Sequence, residues 1–126
     1  MVIEGKEPCP HVELDFAANT FVFSGTCYPE NTAEFFDPIF AKLAGHLNDL
    51  TDAAVLFELK LSYFNSGASR AFSQFFEILE GCASKGNAVT VNWYCEEGDD
   101  NMIELATDFE EDFQAATYAV VVVDAF

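Results

Sequence analysis

The chain has 126 residues, and 5 basic against 22 acidic side chains give it a formal net charge of −17. With 51% hydrophobic residues and 14 Phe, it carries enough apolar surface to offset the entropy of ordering the backbone, so disorder along the whole length is excluded. A surface this acidic repels phosphate backbones and anionic headgroups, which argues against nucleic acid and membrane as partners.

The length fits one domain over residues 1–126, large enough to bury roughly two-thirds of its unfolded surface without disulfides or a structural metal. The longest apolar stretch, Tyr118 to Val123, is far short of the ~20 residues that span a bilayer. The start, Met1 to Pro8, has two acids and no apolar run, so no secretory signal is expected and the chain reads as cytoplasmic. Cys9, Cys27, Cys82 and Cys95 are widely spaced with no C-x-x-C pair, which favours reduced thiols. Two histidines do not supply the four convergent ligands that zinc prefers, and neither a metal nor a cofactor is expected.

Val12 to Phe16 and Thr20 to Ser24 alternate apolar and polar residues around Ala17-Ala18-Asn19, a hairpin signal. Asn31-Thr32-Ala33-Glu34 matches a capping box, followed by Phe35, Phe36, Ile39, Phe40, Leu43 and Leu47 at helical spacing to about Leu50. Pro38 conflicts with an unbroken helix, and a second start capped by Asp37 is the alternative. Ala53 to Leu61 reads as a strand with Val55, Phe57, Leu59 and Leu61 on one face.

After Asn65-Ser66-Gly67, the residues Phe72, Phe75, Phe76 and Leu79 mark a second helix ending at Lys85-Gly86. Ala88 to Cys95 is strand-like, Glu96 to Asp100 an acidic solvated loop, Met102 to Phe113 a third helix, and Tyr118 to Val123 a final buried strand. The order ββαβαβαβ implies an α/β fold: a mixed, mostly parallel sheet with an N-terminal hairpin and about three helices.

Parallel strands bring the turns that leave them to one end of the sheet. Three segments are expected there: Thr26 to Asn31, Tyr63 to Gly67, and Glu96 to Asp100. Ser66 stands out, since a helix entrance with free N–H groups favours an added anion. Arg70, one turn further, is placed to pair with it. The plainer alternatives are that Ser66 or Asn65 only caps the helix, that Arg70 is a solvated charge, and that the acidic run serves solubility. Acid–base catalysis by His11 or His46 is poorly supported, because no nucleophile motif accompanies either.

These residues resemble the SiaC family of regulatory phosphoproteins, whose domain is similar to the STAS fold of anti-anti-sigma factors. Tyr28-Pro29-Glu30-Asn31 resembles the family's Y-P-E-N opening of its first helix, and Tyr63-Phe64-Asn65-Ser66 with Arg70-Ala71 resembles its L-N-T-S-S…K-A segment. Phe76 to Glu80, Val89 to Tyr94, and Glu104 to Asp112 continue the likeness over roughly residues 12 to 123.

The resemblance implies a non-catalytic switch. A kinase phosphorylates one hydroxyl, a PP2C-type phosphatase removes the phosphate, and the state selects the partner, a diguanylate cyclase being one. Carried over, the phosphoacceptor is Ser66, with Ser69 competing, and the partner-binding residues are Tyr28, Pro29, Glu30, Asn31, Asn65 and Arg70. Serine stands where the family usually has threonine, and Gly67 and Ala68 replace two hydroxyl residues. The alternative function is a constitutive acidic protein-binding module without phosphorylation control.

Overall fold

The computed structural model describes residues 1–6 and 9–126; Glu7 and Pro8, which enter the reading of the amino terminus, lie outside them. The elements in chain order are β1 (Val2–Ile3), β2 (His11–Asp15), β3 (Thr20–Cys27), α1 (Thr32–Asn48), β4 (Ala54–Phe64), α2 (Ser66–Ser84), β5 (Ala88–Glu96), α3 (Asp100–Asp108), a 3-10 turn (Phe109–Asp112) and β6 (Thr117–Val123). The strands lie side by side in sequence order, β1 to β6. β1, β2 and β3 pair antiparallel, while β3, β4, β5 and β6 run parallel. The expected mixed sheet and three helices are present, with β1 added. Two residues are too few for any periodicity to reveal it.

Strand alternation sorts the sheet into two faces. Val12, Leu14, Phe21, Phe23, Val55, Phe57, Leu59, Val89, Val91 and Trp93 are buried on the face that packs against the helices. Glu58, Lys60 and Tyr94 lie half-buried on the other face, which no helix covers. There Tyr94 donates its hydroxyl to Glu58 at 2.5 Å, and Lys60 sits 5.2 Å from the centre of the Tyr94 ring. Between sheet and helices the core is largely aromatic, with Phe40 stacked on Phe75 at 4.5 Å and Trp93 on Phe109 at 5.5 Å. The Trp93 indole N–H has no hydrogen-bond partner among the described residues.

Helix α1 runs unbroken through Pro38, so the second start at Asp37 is not used. The hydrogen bond that Pro38 cannot make would have gone to the Glu34 carbonyl, on an exposed stretch of the helix where water can take its place. Phe36, Ile39, Leu43 and Leu47 are all buried along the opposite stripe, and their packing outweighs the local loss. Helix α3 begins earlier than its apolar pattern suggests, inside the run taken for a loop. The Asp99 side chain accepts from the Met102 N–H at 3.2 Å, Asp100 occupies the first turn, and Glu96 still belongs to β5. The helix then tightens into the 3-10 turn before Phe113.

β6 is also corrected. It is the last strand of the sheet, and none of its residues is fully buried, with Val122 51% exposed. The backbone before it is held by Glu80 of α2, whose carboxylate accepts N–H groups from Gln114, Ala115 and Ala116 at 2.9 to 3.1 Å. These bonds hold its carboxyl below the usual range. A group whose folded pKa is depressed contributes stability above its unfolded pKa, about 4.3 for glutamate, and loses it as pH falls through the folded value. Unfolding titrations from pH 7 to pH 3 should therefore show wild type losing more stability than Glu80→Gln. Parallel curves would remove this role.

Candidate functional site

The ends of β3 and β4 build the site. Their parallel register shifts between Gly25 and Thr26: Gly25 pairs with Leu61 but Thr26 with Tyr63, which leaves Ser62 as an extra residue in β4. Gly25 takes a positive φ of 94°, a backbone state that side chains disfavour, and its carbonyl accepts the Ser62 hydroxyl at 3.3 Å. A bulge of this kind re-aims the residues that follow. Phe64 turns into the core, where its ring lies 5.3 Å from Trp93, and Tyr63 turns out to solvent at 54% exposure. Continuing the alternation of Val55, Phe57, Leu59 and Leu61 would have sent Tyr63 inward.

The two turns are tied together. The Asn65 N–H donates to the Cys27 carbonyl at 3.0 Å, and the exposed rings of Tyr28 and Tyr63 meet edge to face at 5.6 Å. Asn31 caps α1 by accepting from the Glu34 N–H at 3.1 Å, and Asn65 caps α2 by accepting from the Ala68 N–H at 2.9 Å. The helix starts nearly touch, since a Cβ on Gly67 would come within 2.9 Å of the Thr32 side chain. A third wall comes from α3: Asp99, Asn101, Met102 and Leu105 form a shallow groove with Ser62, Tyr63 and Phe64.

Ser66 is the first residue of α2 and is exposed. Because Asn65 already caps the helix, the Ser66 hydroxyl is not needed for that purpose. Ser69 is half-buried, and its N–H is bonded to the Asn65 carbonyl at 3.0 Å. Arg70 is exposed and, among the described residues, forms no ion pair. Glu30 and Asn31 are exposed, whereas Pro29 is buried at the turn and lines a concavity with Cys9, Glu34 and Phe35. The structure thus gathers Tyr28, Glu30, Asn31, Asn65, Ser66 and Arg70 at one end of the sheet. Tyr63, not among the expected partner-binding residues, stands beside them as an exposed ring against Tyr28, an orientation the bulge hid from sequence reasoning.

The histidines are engaged elsewhere. His46 Nε2 lies 2.6 Å from the Asn19 side-chain oxygen and the ring packs on Phe16, while His11 lies 3.0 Å from Glu13. Burial pushes the thiols up, that of Cys27 to about 12 and that of Cys95 to about 11, so both stay protonated at neutral pH. Among the described residues, no helix is long and apolar enough to cross a membrane.

Residues 3–123 match the profile of SiaC family regulatory phosphoproteins. The chain belongs to the SiaC family. Its relatives agree: an uncharacterized protein of Pseudomonas aeruginosa strain UCBPP-PA14 is 28% identical over 110 residues, covering 87% of this chain and 86% of the relative. The crystal structure of apo-SiaC from Pseudomonas aeruginosa superposes with a TM-score of 0.85 at 26% identity, over 96% of this chain and 97% of that one. A SiaC-family fold is also matched in the crystal structure of the diguanylate cyclase SiaD in complex with its activator SiaC, from the same organism. There the TM-score is 0.90 at 25% identity, over 98% of this chain and 99% of that one.

Proposed function

We propose that this SiaC-family chain acts as a single, non-catalytic domain in the cytoplasm, switched between partners by reversible phosphorylation of Ser66. The observation that carries the reading is the exposed Ser66 hydroxyl at the first position of α2, free of any capping duty and beside the exposed Tyr28–Tyr63 pair. A kinase transfers the γ-phosphoryl group of ATP to Ser66 Oγ, releasing ADP, and a PP2C-type phosphatase hydrolyses the ester to inorganic phosphate.

The added group, carrying about −1.5 to −2 charge near pH 7, meets the open N–H groups and positive dipole end of α2, with Arg70 one turn along. The same charge changes the surface on which the partner docks. In the complex of SiaD with its activator SiaC, a relative of this chain meets a diguanylate cyclase. By that likeness a diguanylate cyclase is the downstream target proposed here, with Tyr28, Glu30, Asn31 and Tyr63 as docking residues and Pro29, Asn65 and Arg70 positioning the turns and the phosphate.

The phosphoacceptor is tested by incubating the protein with its kinase and ATP and mapping phosphate by peptide mass spectrometry. Phosphate should appear on Ser66, and Ser66→Ala should remove nearly all of it. Full incorporation into Ser66→Ala, or phosphate on Ser69 alone, would falsify the assignment.

A further inference from the structure

We propose that the face of the sheet left uncovered by the helices holds a binding site for a small monocarboxylate with a flat aromatic body. The site is an open pocket of about 490 Å3 whose lining includes Ser24, Lys60, Tyr94, Glu96, Val123 and Phe126. That volume lies within the ~300–1,000 Å3 usual for small-molecule sites. Ser66 belongs to α2, on the other side of the sheet, so this pocket is separate from the Ser66 turn.

Lys60 selects the charge of the ligand. Of the five basic side chains it alone is half-buried, and among the described residues it forms no ion pair. Its ammonium sits 5.2 Å from the centre of the Tyr94 ring, while Glu58, two residues back on the same face, is taken by the Tyr94 hydroxyl. Burial strips water from the ammonium and the ring returns only part of that loss, which an incoming anion makes good. Ser24, also half-buried, neighbours Lys60 in the β3–β4 register and supplies a hydroxyl donor to the same pocket. Glu96 holds the ligand to a single charge, because its carboxylate lines the pocket too and repels a dianion such as a phosphate monoester.

The walls select the body. Val123 and Phe126 give the pocket an apolar side, and Phe126 is 52% exposed, leaving ring surface for a ligand to cover. The floor is the face of one sheet, bordered by the Tyr94 and Phe126 rings. A planar aromatic body lies flat on such a floor, meets both rings, and gives up less conformational freedom than an alkyl chain of similar size.

Nuclear magnetic resonance titration of the intact, isotope-labelled protein with trans-cinnamate, its neutral analogue cinnamamide, and octanoate tests the proposal. Cinnamate should bind with a Kd on the order of 0.1–1 mM and move the amide signals of Ser24, Lys60, Tyr94 and Val123, leaving those of Ser66 and Arg70 in place. Cinnamamide and octanoate should each bind about tenfold more weakly. Lys60→Met, which keeps an apolar stem without the charge, should cost cinnamate about tenfold, and Lys60→Arg should retain most of the affinity, with circular dichroism unchanged in both. The proposal is overturned by an absence of shifts up to about 10 mM cinnamate, or by shifts confined to other residues. Cinnamamide or octanoate binding as tightly as cinnamate overturns it as well, as does undiminished binding to Lys60→Met.

Discussion

Ser66→Asp is expected to lower the affinity of the partner that prefers the unmodified protein by about tenfold or more, while leaving the fold as stable as before or slightly more so. The two effects have opposite signs for one reason. Ser66 opens α2, where a carboxylate meets the positive end of the helix dipole, a gain of about 0.3–1 kcal/mol in stability. That same charge stands at the rim of the Tyr28–Tyr63 pair, on an end of the sheet that already carries Glu30, Glu34, Asp99 and Asp100. A partner pressing its surface over the aromatic pair must desolvate the new carboxylate, and exposed Arg70, one turn along α2, offsets only part of that cost. Titration calorimetry of wild type and Ser66→Asp against the proposed diguanylate cyclase partner, with thermal melts of both, reads the two signs separately. Equal affinities would leave the switch without a mechanism and favour a constitutive acidic module. A lower melting point would trace any affinity loss to damage in the helix.

Phe72→Ala should cost about 3–5 kcal/mol of folding stability. The ring is fully buried in the middle of α2 and is shared by both neighbouring layers. It meets Phe23 of β3 at 5.7 Å, Phe36 and Phe40 of α1 at 5.2 and 6.0 Å, and Trp93 of β5 at 6.4 Å. Removing it opens a cavity walled by stiff aromatic rings, which collapse poorly around the space left behind. Set against the 5–15 kcal/mol that small proteins generally hold, the loss is a large share of the total. Urea unfolding should show a lower midpoint with an unchanged slope. A cost below about 1.5 kcal/mol would mean that the aromatic layers repack freely and are not locked.

The helices and the turn that carries Ser66 were legible because their signals are local. Asn31 and Asn65 announce their helices as caps, and both perform that role. The family motifs around Tyr28 and Ser66 lie in the turns those caps terminate. Features set by neighbours distant in sequence were not legible. An apolar run such as Tyr118 to Val123 reads the same in the middle of a parallel sheet as at its margin, and strand order alone decides which. Asp99 and Asp100 looked like solvated charges because an acidic run gives no sign that one member caps a helix; the Met102 N–H shows it. Pro38 was a local warning that a buried stripe overrode.

The bulge that absorbs Ser62 makes the backbone at this tip as consequential as side-chain chemistry. With Ser62 kept and the bulge removed, plain alternation after Leu61 would send Tyr63 toward Trp93 and push Phe64 outward, whereas a chain lacking Ser62 would hold Tyr63 outward and Phe64 inward with no bulge at all. Core and proposed docking surface are thus written in the same short stretch of chain, one frame apart. What the tip displays therefore depends on where the backbone places its extra residue as well as on which side chains it carries.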